Sequence, residues 1–250
     1  MKEVIGVIPA RFKSSRYPGK PLVILNGIPM IIRVCKIVEK ALGKQNTYVA
    51  TDDYRIKKEV EKYGYKVVMT SENCLTGTDR IWDFAQRVKA KIYINVQGDE
   101  PLLDPNDIIE IVRVKKDNMS AVINGMCPVS ENENPENINL PKVLVTKSND
   151  LIYMSRLPIP GIKSLHFSER PTYKKQVCIY GFSFGDLEAF GKQRHKAEYE
   201  KYEDIEILRF FDLGIPIKMV EMSGSSLAVD IPSDVNAVEE ILLKADTYYD

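Results

Sequence analysis

Between residues 4 and 96, short apolar runs alternate with segments of helical period. Val4-Ile5-Gly6-Val7-Ile8 is an apolar run closed by Pro9, the pattern of a strand buried on both faces of a parallel sheet. From Pro29 to Leu42 the apolar residues Met30, Val34, Ile37, Val38 and Ala41 fall at helical spacing, with Pro29 in the first turn and Gly43 as a stop. Tyr48-Val49-Ala50 reads as a second strand and Tyr54 to Tyr63 as a helix ended by Gly64. Lys66-Val67-Val68-Met69 is a third strand. Residues 79–90 form a helix with Thr78 as N-cap, and Ile92 to Val96 is a fourth strand. Such alternation predicts βαβ units, hence an α/β fold with a mostly parallel sheet covered by helices on both faces. Ligands in these sheets bind beyond the carboxyl ends of the strands, which directs attention to loops 9–21, 51–53 and 97–101.

The second half is less regular. Strands are expected at 120–127, 142–146, 176–184 and 216–220, and a helix at 203–213. An acidic, Asn-rich loop runs from Ser130 to Asn139, a proline-marked segment from Arg156 to Pro160, and Pro232 opens a last helix reaching about Tyr248. With no repeat or linker, the expectation is one α/β unit with a subdomain inserted near 120–220.

Charge and cysteine content remove several function classes. The 35 basic and 35 acidic residues cancel, which argues against a general nucleic-acid binder. No apolar run approaches the roughly 18 residues of a membrane span. The N-terminus lacks the pattern of a secretory signal. Cys35, Cys74, Cys127 and Cys178 form no C-x-x-C pair, as expected of free thiols in a reducing cytoplasm. The two histidines, His166 and His195, offer no zinc-spaced cluster, although a Cys–His nucleophile pair stays open.

Four stretches carry chemistry. Residues 1–20 hold five bases (Lys2, Arg11, Lys13, Arg16, Lys20) against Glu3 alone, so the neutral total hides a local cationic loop suited to phosphate oxygens. This loop is neither a Walker A loop nor a dinucleotide fingerprint. Gln97-Gly98-Asp99-Glu100-Pro101 ends the fourth strand and sets a carboxylate where Mg²⁺ on nucleotide phosphates would lie; turn chemistry is its bland alternative. Asp230, in Val229-Asp230-Ile231-Pro232, fits a second metal ligand or an N-cap equally well. Thr51-Asp52-Asp53 and Thr76-Gly77-Thr78-Asp79-Arg80 each join a strand to a helix. Arg80 in a first helical turn opposes the macrodipole, which points to a role other than structural.

Taken in order, Ile-Pro-Ala-Arg-x-x-Ser-Ser-Arg-x-Pro-Gly-Lys-Pro-Leu at 8–22, Ala-Thr-Asp-Asp at 50–53, Gly-Thr-Asp-Arg at 77–80, Val-Gln-Gly-Asp-Glu-Pro at 96–101, Tyr-x-Ser-Arg at 153–156 and Val-Asp-x-Pro at 229–232 resemble the CMP-Kdo synthetases, the 3-deoxy-manno-octulosonate cytidylyltransferases. The resemblance runs nearly end to end. It implies a Rossmann-like nucleotidyltransferase fold, with a nucleotide-binding part at about 1–118 and 222–250 and an acceptor and dimerisation part at about 119–221. It also implies a homodimer and a Mg²⁺-dependent reaction in which CTP and an acidic sugar give a CMP-sugar and pyrophosphate. By position, Arg11, Arg16 and Lys20 would hold the CTP phosphates and act in catalysis with Asp99. The 9–11 backbone (Pro9, Ala10, Arg11) would lie near the cytosine, and Thr51, Asp52, Asp53, Arg80 and Gln97 would help place the nucleotide. Asp99 and Asp230 would be the metal ligands. Arg156, Gln176, Tyr180, Glu206 and Ile207 would face the acceptor.

Two departures from the family pattern fall in the acceptor half. Gln176 replaces a histidine in the family's His-x-Gly-Ile-Tyr, and Ile207 replaces a glutamine in its Leu-Glu-Gln-Leu-Arg. An apolar group facing a buried sugar hydroxyl would cost about 1–3 kcal/mol. The expected acceptor is therefore Kdo, a related ulosonic acid, or another small phosphorylated or phosphonate acid. A metal-dependent glycosyltransferase and a non-catalytic nucleotide binder stay open as competing readings.

Overall fold

Strand β1 (Lys2–Ala10) is buried along its carboxyl-terminal part, as an apolar run ending in proline requires. The computed structural model describes residues 1–13, 17–163, 171–224 and 227–246. Along the chain β1 is followed by the short strands β2 (Ile24–Leu25) and β3 (Ile28–Pro29), then α1 (Met30–Leu42), β4 (Thr47–Thr51), α2 (Tyr54–Lys62), β5 (Lys66–Met69), α3 (Gly77–Arg87) and β6 (Ala90–Val96). The second half contains α4 (Pro105–Asp117), β7 (Val122–Pro128), β8 (Lys142–Val145), β9 (Leu151–Ser155), β10 (Lys174–Ser183), α5 (Phe184–Gly191), α6 (Glu198–Glu203), α7 (Leu208–Asp212), β11 (Ile217–Glu221) and α8 (Asp234–Asp246).

The main sheet runs β11-β7-β10-β6-β1-β4-β5, with β8 paired to β10 and β9 to β8. β1 pairs in parallel with β4 and β6, β4 with β5, and β7 with β11. β10 alone reverses the main sheet, running antiparallel to both β6 and β7. The segment 119–221 is therefore no separate body: three of its strands complete the sheet, and β8 and β9 lie off the main path.

Alternate side chains of each strand feed opposite layers. Ile8 and Ala10 of β1 pack with Ile31, Val34 and Val38 of α1 and Ile108 of α4. Ile5 and Val7 pack on the other face with Ile81 and Phe84 of α3 and Phe190 of α5. Both faces of the parallel strands are covered, which is why they read as continuous apolar runs.

Several boundaries differ from the sequence reading. α3 begins two residues early because Thr76, not Thr78, is its N-cap, in a capping box with Asp79. The helix expected at 203–213 is reduced to α7, and α6, ahead of it, ends at Glu203. They are separated at Asp204, whose φ of 50° interrupts the ladder. α8 starts at Asp234, whose carboxylate accepts the N–H groups of Asp230 and Ile231 at 2.8 and 2.9 Å, so Pro232 lies ahead of the helix. Helices α4 and α5 and strand β9 carried no recognised signal. In α4 the buried Ile108 and Ile111 are hidden among charged neighbours, and Lys115 is itself buried.

Candidate active site

A cleft of about 680 Å³ opens at the carboxyl ends of β1 and β6 and along β10. Its first wall is the chain after β1. Arg11 is exposed on the rim, and Gly19, with φ of 75°, turns the chain so that Lys20 re-enters the cleft. The loop after β6 packs close beneath it. A Cβ on Gly98 would stand 3.1 Å from the Pro9 carbonyl oxygen, so glycine there lets Asp99 approach the end of β1. The Asp99 carbonyl accepts the Val229 N–H at 3.0 Å, which draws Asp230 into the same place.

The result is one cation between two carboxylates. Lys20 Nζ donates to Asp99 Oδ2 at 2.5 Å and to Asp230 Oδ1 at 3.3 Å, with its side chain only 12% exposed. Paired carboxylate oxygens are the donor chemistry of Mg²⁺, which takes one or two carboxylates and completes its shell with phosphate and water. The ammonium in contact with both shows that Asp99 and Asp230 converge on one cation. No cluster of three ligating side chains occurs among the described residues, so any such ion would depend on its substrate for the remaining ligands. Lys13 points elsewhere, to an exposed pair with Glu72. Arg16 lies outside the described residues.

Thr51, Asp52 and Asp53 do not line the cleft, contrary to the expectation that they contact the nucleotide. Thr51 is fully buried. Asp53 caps α2 and is gripped by Arg55 through Nε and Nη2 at 2.9 and 2.6 Å, which holds its carboxyl below the usual range. Asp52 accepts from Arg80 Nη2 at 2.9 Å. Arg80 lines the cleft, yet it is 4% exposed and also donates to Thr70 Oγ1 at 2.6 Å. Its guanidinium braces the cleft wall through Thr70 and Asp52.

The far wall is β10, where Gln176, Cys178 and Tyr180 share the cleft face by the two-residue period. The Gln176 amide is oriented by a chain of donors. Asn124 Nδ2 donates to the Val177 and Ile179 carbonyls at 3.0 and 2.8 Å, so Asn124 can offer only Oδ1 sideways. Gln176 must therefore turn Nε2 towards it, at 2.9 Å, and towards the Tyr180 hydroxyl at 3.2 Å. This leaves Oε1 of Gln176 as the acceptor presented to the cleft.

Glu206 also lines the cleft. Its Oε2 accepts the Thr78 N–H at 3.0 Å. Burial pushes its pKa up, partly offset by hydrogen bonds from Thr78 and Thr76. Arg156 donates to the carbonyls of Ile138 and Asp204 at 2.7 and 2.9 Å. Carbonyls hold the guanidinium without cancelling its charge, which suits an anionic ligand.

Ile207 does not face the cleft: it is 1% exposed and packs in the core layer with Phe210. Glu206 thus lines the cleft while its neighbour Ile207 is core. The expected cost of an apolar group against a sugar hydroxyl therefore does not arise at this position. Cleft residues that carried no recognised signal include Lys196, Asp204, Glu200 and Asn139; polar residues in loops and in a helix as short as α6 have no hydrophobic period to mark them. All four thiols are displaced upward by burial, so no cysteine is poised as a nucleophile.

A family model described as cytidylyltransferase matches residues 5–218. Over 242 residues, 97% of each chain, the sequence is 34% identical to a 3-deoxy-manno-octulosonate cytidylyltransferase of Escherichia coli. It is 36% identical over 244 residues, 94% of this chain and 97% of the other, to an 8-amino-3,8-dideoxy-manno-octulosonate cytidylyltransferase of Shewanella baltica (strain OS195). The solved structure of CMP:2-keto-3-deoxy-manno-octonic acid synthetase complexed with CTP superposes with a TM-score of 0.89 at 33% identity, covering 98% of this chain and 100% of that one.

Proposed function

The chain belongs to the cytidylyltransferase family, and from that premise we propose that it couples CTP to a Kdo-like sugar acid, releasing pyrophosphate. It is a nucleotidyltransferase. One observation carries the assignment of the nucleotide end: Arg11, Lys20, Asp99 and Asp230 come from three distant segments to one end of the cleft.

In the proposed reaction an acceptor hydroxyl attacks the α-phosphorus of CTP in line. The new P–O bond forms as the α–β phosphoanhydride breaks, pyrophosphate departs and the hydroxyl proton passes to solvent. Such a transfer depends on positioning and charge neutralisation more than on a side-chain base. Arg11 and Lys20 bind phosphate oxygens and offset the charge that develops on the leaving group. Gln97 and the 9–11 backbone orient the nucleotide. Asp99 and Asp230 would hold Mg²⁺, which when bound would neutralise phosphate charge.

At the acceptor end, Arg156 provides positive charge for a sugar carboxylate, and Gln176 Oε1 accepts a hydrogen bond from a hydroxyl or an ammonium. That indifference supports a second acceptor beside 3-deoxy-manno-octulosonate, its 8-amino-3,8-dideoxy analogue, since both names occur among the relatives. We place the reaction in a reducing cytoplasm, in keeping with four free thiols; no helix of the described residues is long and apolar enough to cross a membrane.

Pyrophosphate release tests the reading. With CTP and Mg²⁺, one or both octulosonates should be turned over, and Asp99→Ala should lower kcat by about two to three orders of magnitude. Silence with both acids, or near-normal turnover by Asp99→Ala, would overturn it.

A further inference from the structure

We propose that Phe12, Arg55 and Asp53 form a clamp that sets the spacing of Arg11 and Lys20, two cations at the phosphate end of the cleft, and so governs CTP affinity without touching the nucleotide. The inference rests on the reading of the cleft as a CTP site.

Arg11 and Lys20 are each one residue from a pinched point in the chain. The Gly19 N–H donates to the Phe12 carbonyl at 2.9 Å, closing the loop at its neck. The Phe12 ring lies against Gly19 so closely that a Cβ there would stand 3.1 Å from the ring. With φ of 75° as well, the position accepts little but glycine. On the ring's other contact, the Arg55 guanidinium lies 3.3 Å from the centroid, a close cation–π stack. Arg55 is in turn fixed in two places by Asp53, itself anchored as the N-cap of α2.

A rigid helix end thus orients an arginine, the arginine holds a ring, and the ring with Gly19 holds the neck. Arg55 is 60% exposed and fills no core position. A stabilising role alone would not require a planar stack with two hydrogen bonds at the base of a cationic loop. The arrangement also accounts for Asp53, which the cleft does not use. Arg55 and Phe12 are positioning residues rather than catalytic ones, because their expected effect passes through Arg11 and Lys20.

The test is calorimetric CTP binding together with separate KM values for CTP and the acceptor. Arg55→Ala and Phe12→Leu should each weaken CTP about three- to tenfold, in line with loss of one close cation–π contact. kcat and the acceptor KM should stay within about twofold. Phe12→Tyr, which keeps the ring face, should restore affinity, and Arg55→Ala should leave the melting temperature unchanged within about 2 °C. Unaltered CTP affinity in Arg55→Ala would overturn the clamp, as would equal losses at both substrates accompanied by a falling melting temperature. If Phe12→Leu does not fold, Arg55→Ala carries the test by itself, since the arginine is on the surface. Failure of the wild-type protein to bind CTP would instead count against the assignment of the cleft.

Discussion

The carboxyl of Glu206 is buried beside the cleft, where it accepts the Thr78 N–H and competes with its own desolvation. Burial raises its pKa, so the folded state holds this proton more tightly than the unfolded chain. The associated stability is fully present below the ordinary glutamate range and is lost as pH rises through the raised value. Glu206→Gln keeps an acceptor for Thr78 and removes the charge. We expect it to be more stable than the wild type at pH 8 and equal to it at acid pH, compared by urea midpoints. A variant less stable at pH 8 would show that the charge is well solvated. The neighbouring residue illustrates what a linear motif leaves undecided. Glu206 and Ile207 are adjacent in sequence, and one lines the cleft while the other is core. Nothing local distinguishes them, because what separates them is long-range: Glu206 meets the Thr78 N–H and Ile207 meets the core layer.

Among the elements, Arg209 joins three helices. From α7 it donates to Glu200 of α6 at 2.7 Å through both Nε and Nη2, and to Asp79 of the α3 capping box at 2.9 Å. It also lies 3.7 Å from the Phe190 ring centroid in α5. Removing one partner of a buried network leaves the others charged and unpaired. Arg209→Met should therefore cost about 3–5 kcal/mol of stability, measured by urea denaturation. Arg209→Lys should recover little, since a point charge cannot replace the planar fork; full recovery would contradict the network's geometry. β1, β4 and β6 are readable because each buries both faces and so appears as an apolar run, and β5, at the sheet's edge, still shows as the run Val67-Val68-Met69. α4 is not readable, because Lys115 enters the core to pair with Asp186 at 2.7 Å. A buried charge looks like a surface charge until its partner from a distant helix is known.

For the whole molecule, β9, the segment after it, α6 and α7 carry several exposed large apolar side chains. Leu157 is 66% and Tyr202 81% exposed, and Tyr153 carries Tyr199 and Phe211 in edge contacts with centroids 6.1 Å apart. Large exposed apolar groups favour burial against a partner, and we expect a homodimer in which Leu157 and Tyr202 are covered. Leu157→Lys with Tyr202→Lys should shift sedimentation from dimer to monomer; a wild-type monomer at micromolar concentration would refute the expectation. By itself the sequence determined the α/β class, the cationic loop and the order of motifs that marks the family, because hydrophobic period and local charge are properties of contiguous residues. Tertiary structure alone decided which motif residues meet. It brought Lys20 to carboxylates 79 and 210 positions away, turned Asp53 to a clamp and Arg80 to a wall, and withdrew Ile207 into the core. Those outcomes depend on strand register and on the chain's reversal at β10. Both are set by long-range packing, which no local pattern contains.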